Sequence, residues 1–171
     1  MLRALEDRLA QLPGQKVFLR SAGHMQNWGR VLPVVKATGH LPTFHDPPDA
    51  PLPTVSAMDL GTIAAKLMLE QVPSGNGVKI VHAEGPRRYS NEDVAGTLGQ
   101  IFGHQVDVAV VPREKWTETL EKGMSLSLAE LLVRANDAMN KGGLLDAEQD
   151  GEIMYGTTEL FDVLQEIMSV K

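Results

Sequence analysis

Apolar and polar positions alternate along this chain in two periods. Leu2, Leu5, Leu9 and Leu12 recur at helical spacing, and Pro13-Gly14 ends that stripe. Lys16 to Arg20 (KVFLR) is a short apolar run without alternation. Such a run predicts a strand buried on both faces, as in a parallel sheet. Gly23 to Lys36 has helical character that Pro33 interrupts, because proline cannot donate within a helix. Gly39 to Pro53 carries five prolines and reads as a loop with an extended piece at Leu41 to Phe44. Thr54 to Ser56 is extended. Ser56 followed by Asp59 predicts a capping box opening a helix whose buried face is Leu60, Ile63, Ala64 and Leu67.

The second half repeats these signals. Val78 to Ala83 is another strand of the buried type. Ser90 with Asp93 forms a second capping box, and Gly103 closes the helix at a left-handed position. Gln105 to Val111 alternates as a strand with one polar face, and Pro112 opens a helix through Leu120. Ser127 with Glu130 predicts a cap for a helix through Met139, which Gly142-Gly143 stops. Asp146 to Gly151 is polar loop. Thr157 caps a last helix with Leu160, Phe161, Leu164 and Ile167 on its apolar stripe. Strands alternate with helices early and helices dominate late. The expected fold is therefore α/β, a small parallel sheet flanked by helices with a helical C-terminal lobe, in a single domain over residues 1–171.

Composition narrows the chemistry. Hydrophobic residues make up 43% and charged residues 22% of 171, which suits a packed globular chain rather than a disordered one. A net charge of -6 argues against a nucleic-acid partner, which needs a basic stripe. With no cysteine, the chain has neither thiol catalysis nor disulfides, in keeping with an expected cytoplasmic location. No apolar run approaches the ~20 residues of a membrane span, so no membrane partner is expected.

The tempting motifs are weak. Gly96, Gly99 and Gly103 superficially match a dinucleotide loop, but they lie in and at the end of a helix already capped at Ser90. A phosphate turn needs its glycines between a strand and a helix N-terminus. Position 93, four after Tyr89, is aspartate, and position 159, four after Tyr155, is glutamate, so no Tyr-x-x-x-Lys exists. No Gly-x-Ser-x-Gly elbow exists either. His40, His45, Asp46 and Asp49 share one loop at a spacing that matches no metal site. His82 in its apolar strand reads as a hydrogen-bonded core histidine, and Asp107 as a solvated strand residue.

VFLRSAGHMQNW (Val17 to Trp28), TVSAMDLGTIAAKLML (Thr54 to Leu69) and VKIVHAEGPRRYSNEDVA (Val78 to Ala95) occur in that order. Arg20 at a strand end, then Met25-Gln26-Asn27, Asp59, Gly85-Pro86 before Tyr89-Ser90, and Val111-Pro112 before Trp116 complete the pattern. Together they resemble the second half of the NmrA-like branch of atypical short-chain dehydrogenases. The chain departs from the family at Ser21, where proline is usual, and at His24, where phenylalanine is usual.

The resemblance implies a partial Rossmann-like fold that lacks the N-terminal half where the family binds NADP or NAD. No cofactor is then expected for this chain alone. Leu2 or Arg3 stands about where the family often carries a catalytic lysine, so no catalytic residue is assigned. The implied ligand site comprises Arg20, Ser21, Met25, Asn27 and Trp28 at the carboxyl end of a strand. Arg20 has two readings, a cleft residue or a structural ion pair with Glu6 or Asp59. Met25 and Trp28 have two as well, pocket or core. Two functions follow. One is a non-catalytic domain binding a small molecule or a partner. The other is part of a split NAD(P)H-dependent oxidoreductase of quinones or carbonyls, with its nucleotide half on another chain. The strand at Lys16 to Arg20 would have an open edge, which predicts a homodimer or a partner chain covering it.

Overall fold

The computed structural model describes residues 2–70, 77–143, 145–147 and 151–169. Helix α1 (Leu2–Ala10) leads through Gly14, at φ 93°, into strand β1 (Gln15–Ser21). The Lys16 ammonium donates to the Leu12 and Ala10 carbonyls beyond and at the end of α1, where a cation complements exposed carbonyl oxygens. Strand β2 (Gly23–His24) runs into a 3-10 helix at Met25–Arg30, then α2 (Leu32–Thr38). Pro33 follows the break in this helical stretch at Val31. It lies in the first turn of α2, where a missing N–H costs nothing. Gly39 ends α2 at φ 70°.

Strand β3 (His40–Thr43) precedes β4 (Thr54–Val55) and helix α3 (Ala57–Leu69). Strand β5 (Gly77–Glu84), helix α4 (Asn91–Phe102) and strand β6 (Asp107–Val110) follow. Helices α5 (Trp116–Glu121) and α6 (Leu126–Asn140), strand β7 (Glu152–Tyr155) and helix α7 (Leu160–Ser169) complete the order. All pairs between these strands, among the described residues, are parallel. The main sheet has the order β1-β5-β7, while β2 pairs β4 and β3 pairs β6. The fold is thus α/β, with small parallel sheets flanked by helices.

One face of the main sheet packs Val17, Leu19, Val81, Ala83 and Met154 against Leu60, Ile63 and Leu67 of α3. A second cluster joins Met25, Leu32, Val35, Leu41, Val94, Leu98, Leu160 and Leu164 under α2, α4 and α7. No helix among the described residues is long and apolar enough to cross a membrane.

Several local expectations need correction. Strand β7 fills the stretch between the expected loop ending at Gly151 and Thr157, to which the pattern assigns no element; it is only four residues long, and its pairing with β5 decides it. Part of the polar loop before it, residues 148–150, lies outside the described residues. Ser56 caps α3 by accepting from Met58 N–H, but Asp59 does not close the box. Its carboxylate instead accepts from the amides of Thr157 and Thr158, at 3.0 and 2.8 Å. A Cβ at Gly156 would collide with that carboxylate, so glycine makes the reach possible. Helix α6 starts two residues earlier than expected, its N-cap being Ser125 rather than Ser127, and has no side-chain cap bond. The first turn of α7 is served by Tyr89, whose hydroxyl oxygen accepts from Leu160 N–H at 3.1 Å, not by Thr157. The Ser90–Asp93 box and the left-handed Gly103 form as the sequence predicts. Helix α1 ends at Ala10, before Leu12, and the leucines at helical spacing are exposed, at 53% for Leu5, 38% for Leu9 and 55% for Leu12.

Candidate functional site

The carboxyl ends of β1 and β5 open into a cleft of about 460 Å³. In an open parallel sheet this is where helix and loop connections diverge and leave space for a ligand. Its walls include Arg20, Ser21, Pro53, His82, Glu84 and Leu145. A narrower pocket of about 210 Å³ shares Pro53, Gly143, Leu145 and Asp146 with it and continues to His45, Leu52, Met139 and Asn140.

Arg20 is placed by strand register beside His82. Paired residues on parallel neighbours share a sheet face, so both project toward the α1 side. Arg20 Nη2 lies 2.6 Å from Glu6 Oε2 and Nε donates to Oε1 at 3.2 Å. The guanidinium hydrogen bond holds the Glu6 carboxyl below the usual carboxylate range, against an opposing push from burial. Ser21 hydroxyl donates to the Ala22 carbonyl at 2.8 Å and meets a His24 ring nitrogen at 3.1 Å.

At the far wall, Glu84 ends β5 almost fully buried. Arg88 grips it with two bonds, Nε at 3.1 Å and Nη2 at 3.0 Å, and reaches Asp146 with Nη1 at 2.6 Å. Those carboxylates, Glu84 foremost, hold the guanidinium further toward its charged form. Gly85 turns the chain immediately after Glu84. Its N–H donates to the Thr54 carbonyl at 2.6 Å, and a Cβ there would sit 2.7 Å from that oxygen. The buried charge therefore has paired partners, as its position in low dielectric requires.

In the narrower pocket, Asn140 Nδ2 donates to the Phe44 carbonyl at 2.8 Å. Its Oδ1 therefore faces His45, whose Nδ1 donates to it at 3.2 Å. Burial lowers the His45 pKa, with the Asn140 bond opposing. Among the described residues no three histidine, aspartate or glutamate side chains come together as a metal ligand set.

Of the five residues expected from sequence, the structure brings Arg20 and Ser21 to the cleft. Met25 is fully buried in the second core cluster, Trp28 packs against that cluster, and Asn27 is exposed on the 3-10 helix. Arg20 satisfies both of its readings, since it lines the cleft and pairs with Glu6. The sequence reading missed Glu84, Arg88 and Asp146. A carboxylate ending an apolar strand, with an arginine four residues on, is the signal that marks the first two. His82 lines the cleft, and its Nε2 has no hydrogen-bond partner, contrary to the hydrogen-bonded core role expected for it at that atom.

The N-termini of α3, α4 and α7 do not fit a dinucleotide pyrophosphate. The N-terminus of α3 is occupied by Ser56 and by Gln26, whose Oε1 accepts from Ala57 N–H at 3.0 Å. That of α4 holds its own capping box, with Glu92 and Asp93 in the first turn repelling an anion. That of α7 is taken by Tyr89. Gly99 lies within α4 in contact with the His104 carbonyl, and none of these helices opens from a glycine-rich turn after a strand.

No family model matches the sequence, and no curated protein matches it. Solved structures do. An NADPH-dependent quinone oxidoreductase from Escherichia coli aligns over 98% of this chain with a TM-score of 0.77 at 19% identity. Triphenylmethane reductase from Citrobacter sp. aligns over 98% at 0.71 and 17% identity. A nucleoside-diphosphate-sugar epimerase from Staphylococcus aureus aligns over 96% at 0.69 and 18% identity. These likenesses show the fold. The chain spans 60%, 57% and 55% of those three chains, consistent with a partial Rossmann-like fold.

Proposed function

We propose that this chain is a small-molecule-binding unit related to the substrate-side half of NmrA-like reductases. Its ligand sits in the cleft at the carboxyl ends of β1 and β5, and the chain transfers no hydride by itself. The observation that carries this reading is the cleft, placed where open α/β sheets take ligands and large enough for a small organic molecule. The occupied helix N-termini support the second clause, because a pyrophosphate needs free backbone amides.

A second reading has one observation in its favour. The chain aligns along nearly its whole length with an NADPH-dependent quinone oxidoreductase whose structure with NADPH it also matches, at a TM-score of 0.74 and 19% identity. In that reading the cleft is the substrate wall of an NAD(P)H-dependent quinone or carbonyl reductase, and nucleotide binding is contributed by residues outside this sequence.

Calorimetric titration of the purified chain tests the first reading; the second differs from it only once a nucleotide-binding chain is added, when NADPH should be consumed with the quinone. The first reading expects 2-methyl-1,4-naphthoquinone to bind the purified chain at micromolar to millimolar concentration and NADPH not to bind. Micromolar NADPH binding would overturn the reading that the chain alone lacks a nucleotide site. Binding of neither compound would count against a quinone-type ligand for the cleft.

A further inference from the structure

We propose that His82 is the residue that recognises the ligand: its imidazole Nε2 donates a hydrogen bond to the carbonyl oxygen of an uncharged carbonyl compound in the cleft. This rests on the reading of the cleft as a ligand site.

The charges in and beside the cleft wall are already engaged. Arg20 is bound through two nitrogens to Glu6, and Arg88 through three nitrogens to Glu84 and Asp146. Each guanidinium faces carboxylate of this same chain, so neither presents an uncompensated charge to a ligand. Arg3 and Arg20 line the cleft together with Glu84 and Asp146, so its wall carries two charges of each sign and an anion entering it would meet both carboxylates. The wall therefore favours a ligand without charge.

What the wall does offer is one orphan polar atom. His82 Nε2 is buried without a partner, the one such side-chain atom among the described residues that belongs to the lining of this cleft. A buried polar atom left unsatisfied is uncommon and costly. The ring itself is half-buried and forms part of the cleft wall. Its χ2 torsion is broad, so the ring is free to turn, and the proposal requires that turn to bring Nε2 to the cleft surface. A carbonyl oxygen arriving there would repair the deficit, and a ligand lacking an acceptor would not. Strand register fixes the backbone of His82 beside Arg20 and Ile153 on its two neighbours, which gives the anchor a rigid base.

The test uses the whole chain labelled with [15N]histidine, with resonances assigned by comparison with His82→Leu. 2-Methyl-1,4-naphthoquinone is the uncharged probe and 1,4-naphthoquinone-2-sulfonate the anionic one. The expected result is a saturable shift of the His82 Nε2 resonance with the uncharged probe. Its Kd should rise about three- to tenfold in His82→Leu, the loss of one hydrogen bond, and stay within about threefold of wild type in His82→Gln. The sulfonate should bind no more tightly than the uncharged probe. If the probe binds while His82 Nε2 stays unmoved, or if the sulfonate binds more tightly, this proposal fails and the cleft reading survives. If neither probe binds the wild-type chain, both fail together. Should His82→Leu not fold, the wild-type resonance and the probe comparison decide alone.

Discussion

Arg20 and Glu6 clasp through two hydrogen bonds, 2.6 and 3.2 Å long, and so fasten α1 to the carboxyl end of β1 beside the cleft. The leucine stripe of α1 remains largely in solvent, so this ion pair does much of the work of holding the helix on the sheet. Glu6→Gln should lower stability by about 1 kcal/mol at neutral pH, the upper part of the range for a partly exposed pair. Arg20 depresses the Glu6 pKa from its ordinary 4.5, so the unfolded chain takes up the proton first as pH falls. The contribution is therefore complete above about pH 4.5 and disappears as pH drops through the lowered folded value. Urea denaturation of wild type and variant should differ at pH 7, and the difference should shrink as pH falls below about 4.5. A gap that stays constant as pH falls would show that Glu6 acts through something other than this charge.

Asp59 closes a contact of great sequence distance, its Oδ2 accepting from Thr157 and Thr158 N–H. Asp59→Ala should cost about 2 kcal/mol, because two amides lose a charged acceptor. Thermal melting checks the size. Amide exchange checks the place, since Thr157, Thr158 and the first turn of α7 should lose protection before the rest.

Arg88 separates a buried partner from an exposed one. Glu84 has a side chain 8% exposed and Asp146 one 58% exposed. Glu84→Gln should therefore cost about 2 kcal/mol and Asp146→Asn about 0.5 kcal/mol or less, despite the shorter distance to Asp146. Equal losses in chemical denaturation would mean that distance rather than burial sets these energies.

The sequence carries most of this fold in local signals. The apolar runs of β1 and β5, the Ser90–Asp93 box and the Gly103 ending act within a few residues, so pattern reading finds them. Long-range contacts are a different matter. Asp59 looks like the second half of a capping box, and only the approach of Gly156 turns it toward Thr157 and Thr158. Residues 152–155 become β7 because Val81 to Glu84 offer a ladder. At the site, Arg20 and Ser21 were legible as strand-end residues, whereas Met25 and Trp28 at helical spacing serve the core. Glu84, Arg88 and Asp146 meet only through the folding of three separate segments.

Strand β1 has no ladder partner on its outer edge among the described residues, and Leu5, Leu9 and Leu12 lie exposed nearby on α1 and the turn after it. Unpaired backbone and apolar side chains together favour association. Sedimentation equilibrium at tens of micromolar should show a two-fold dimer, and Leu9→Glu should shift it to monomer. A monomeric wild type at that concentration would remove this expectation.

The location of the ligand is the centre of the account, and amide chemical-shift mapping tests it most directly. Titration of the 15N-labelled chain with 2-methyl-1,4-naphthoquinone should shift Ser21, Ala22, Gly23, Ala83, Glu84 and Asp146, the amides around the cleft at the ends of β1 and β5. Residues of α4 remote from it, such as Gly96 and Gln100, should stay still. Saturable shifts clustered on any other surface, with the strand ends of β1 and β5 unchanged, would contradict the account.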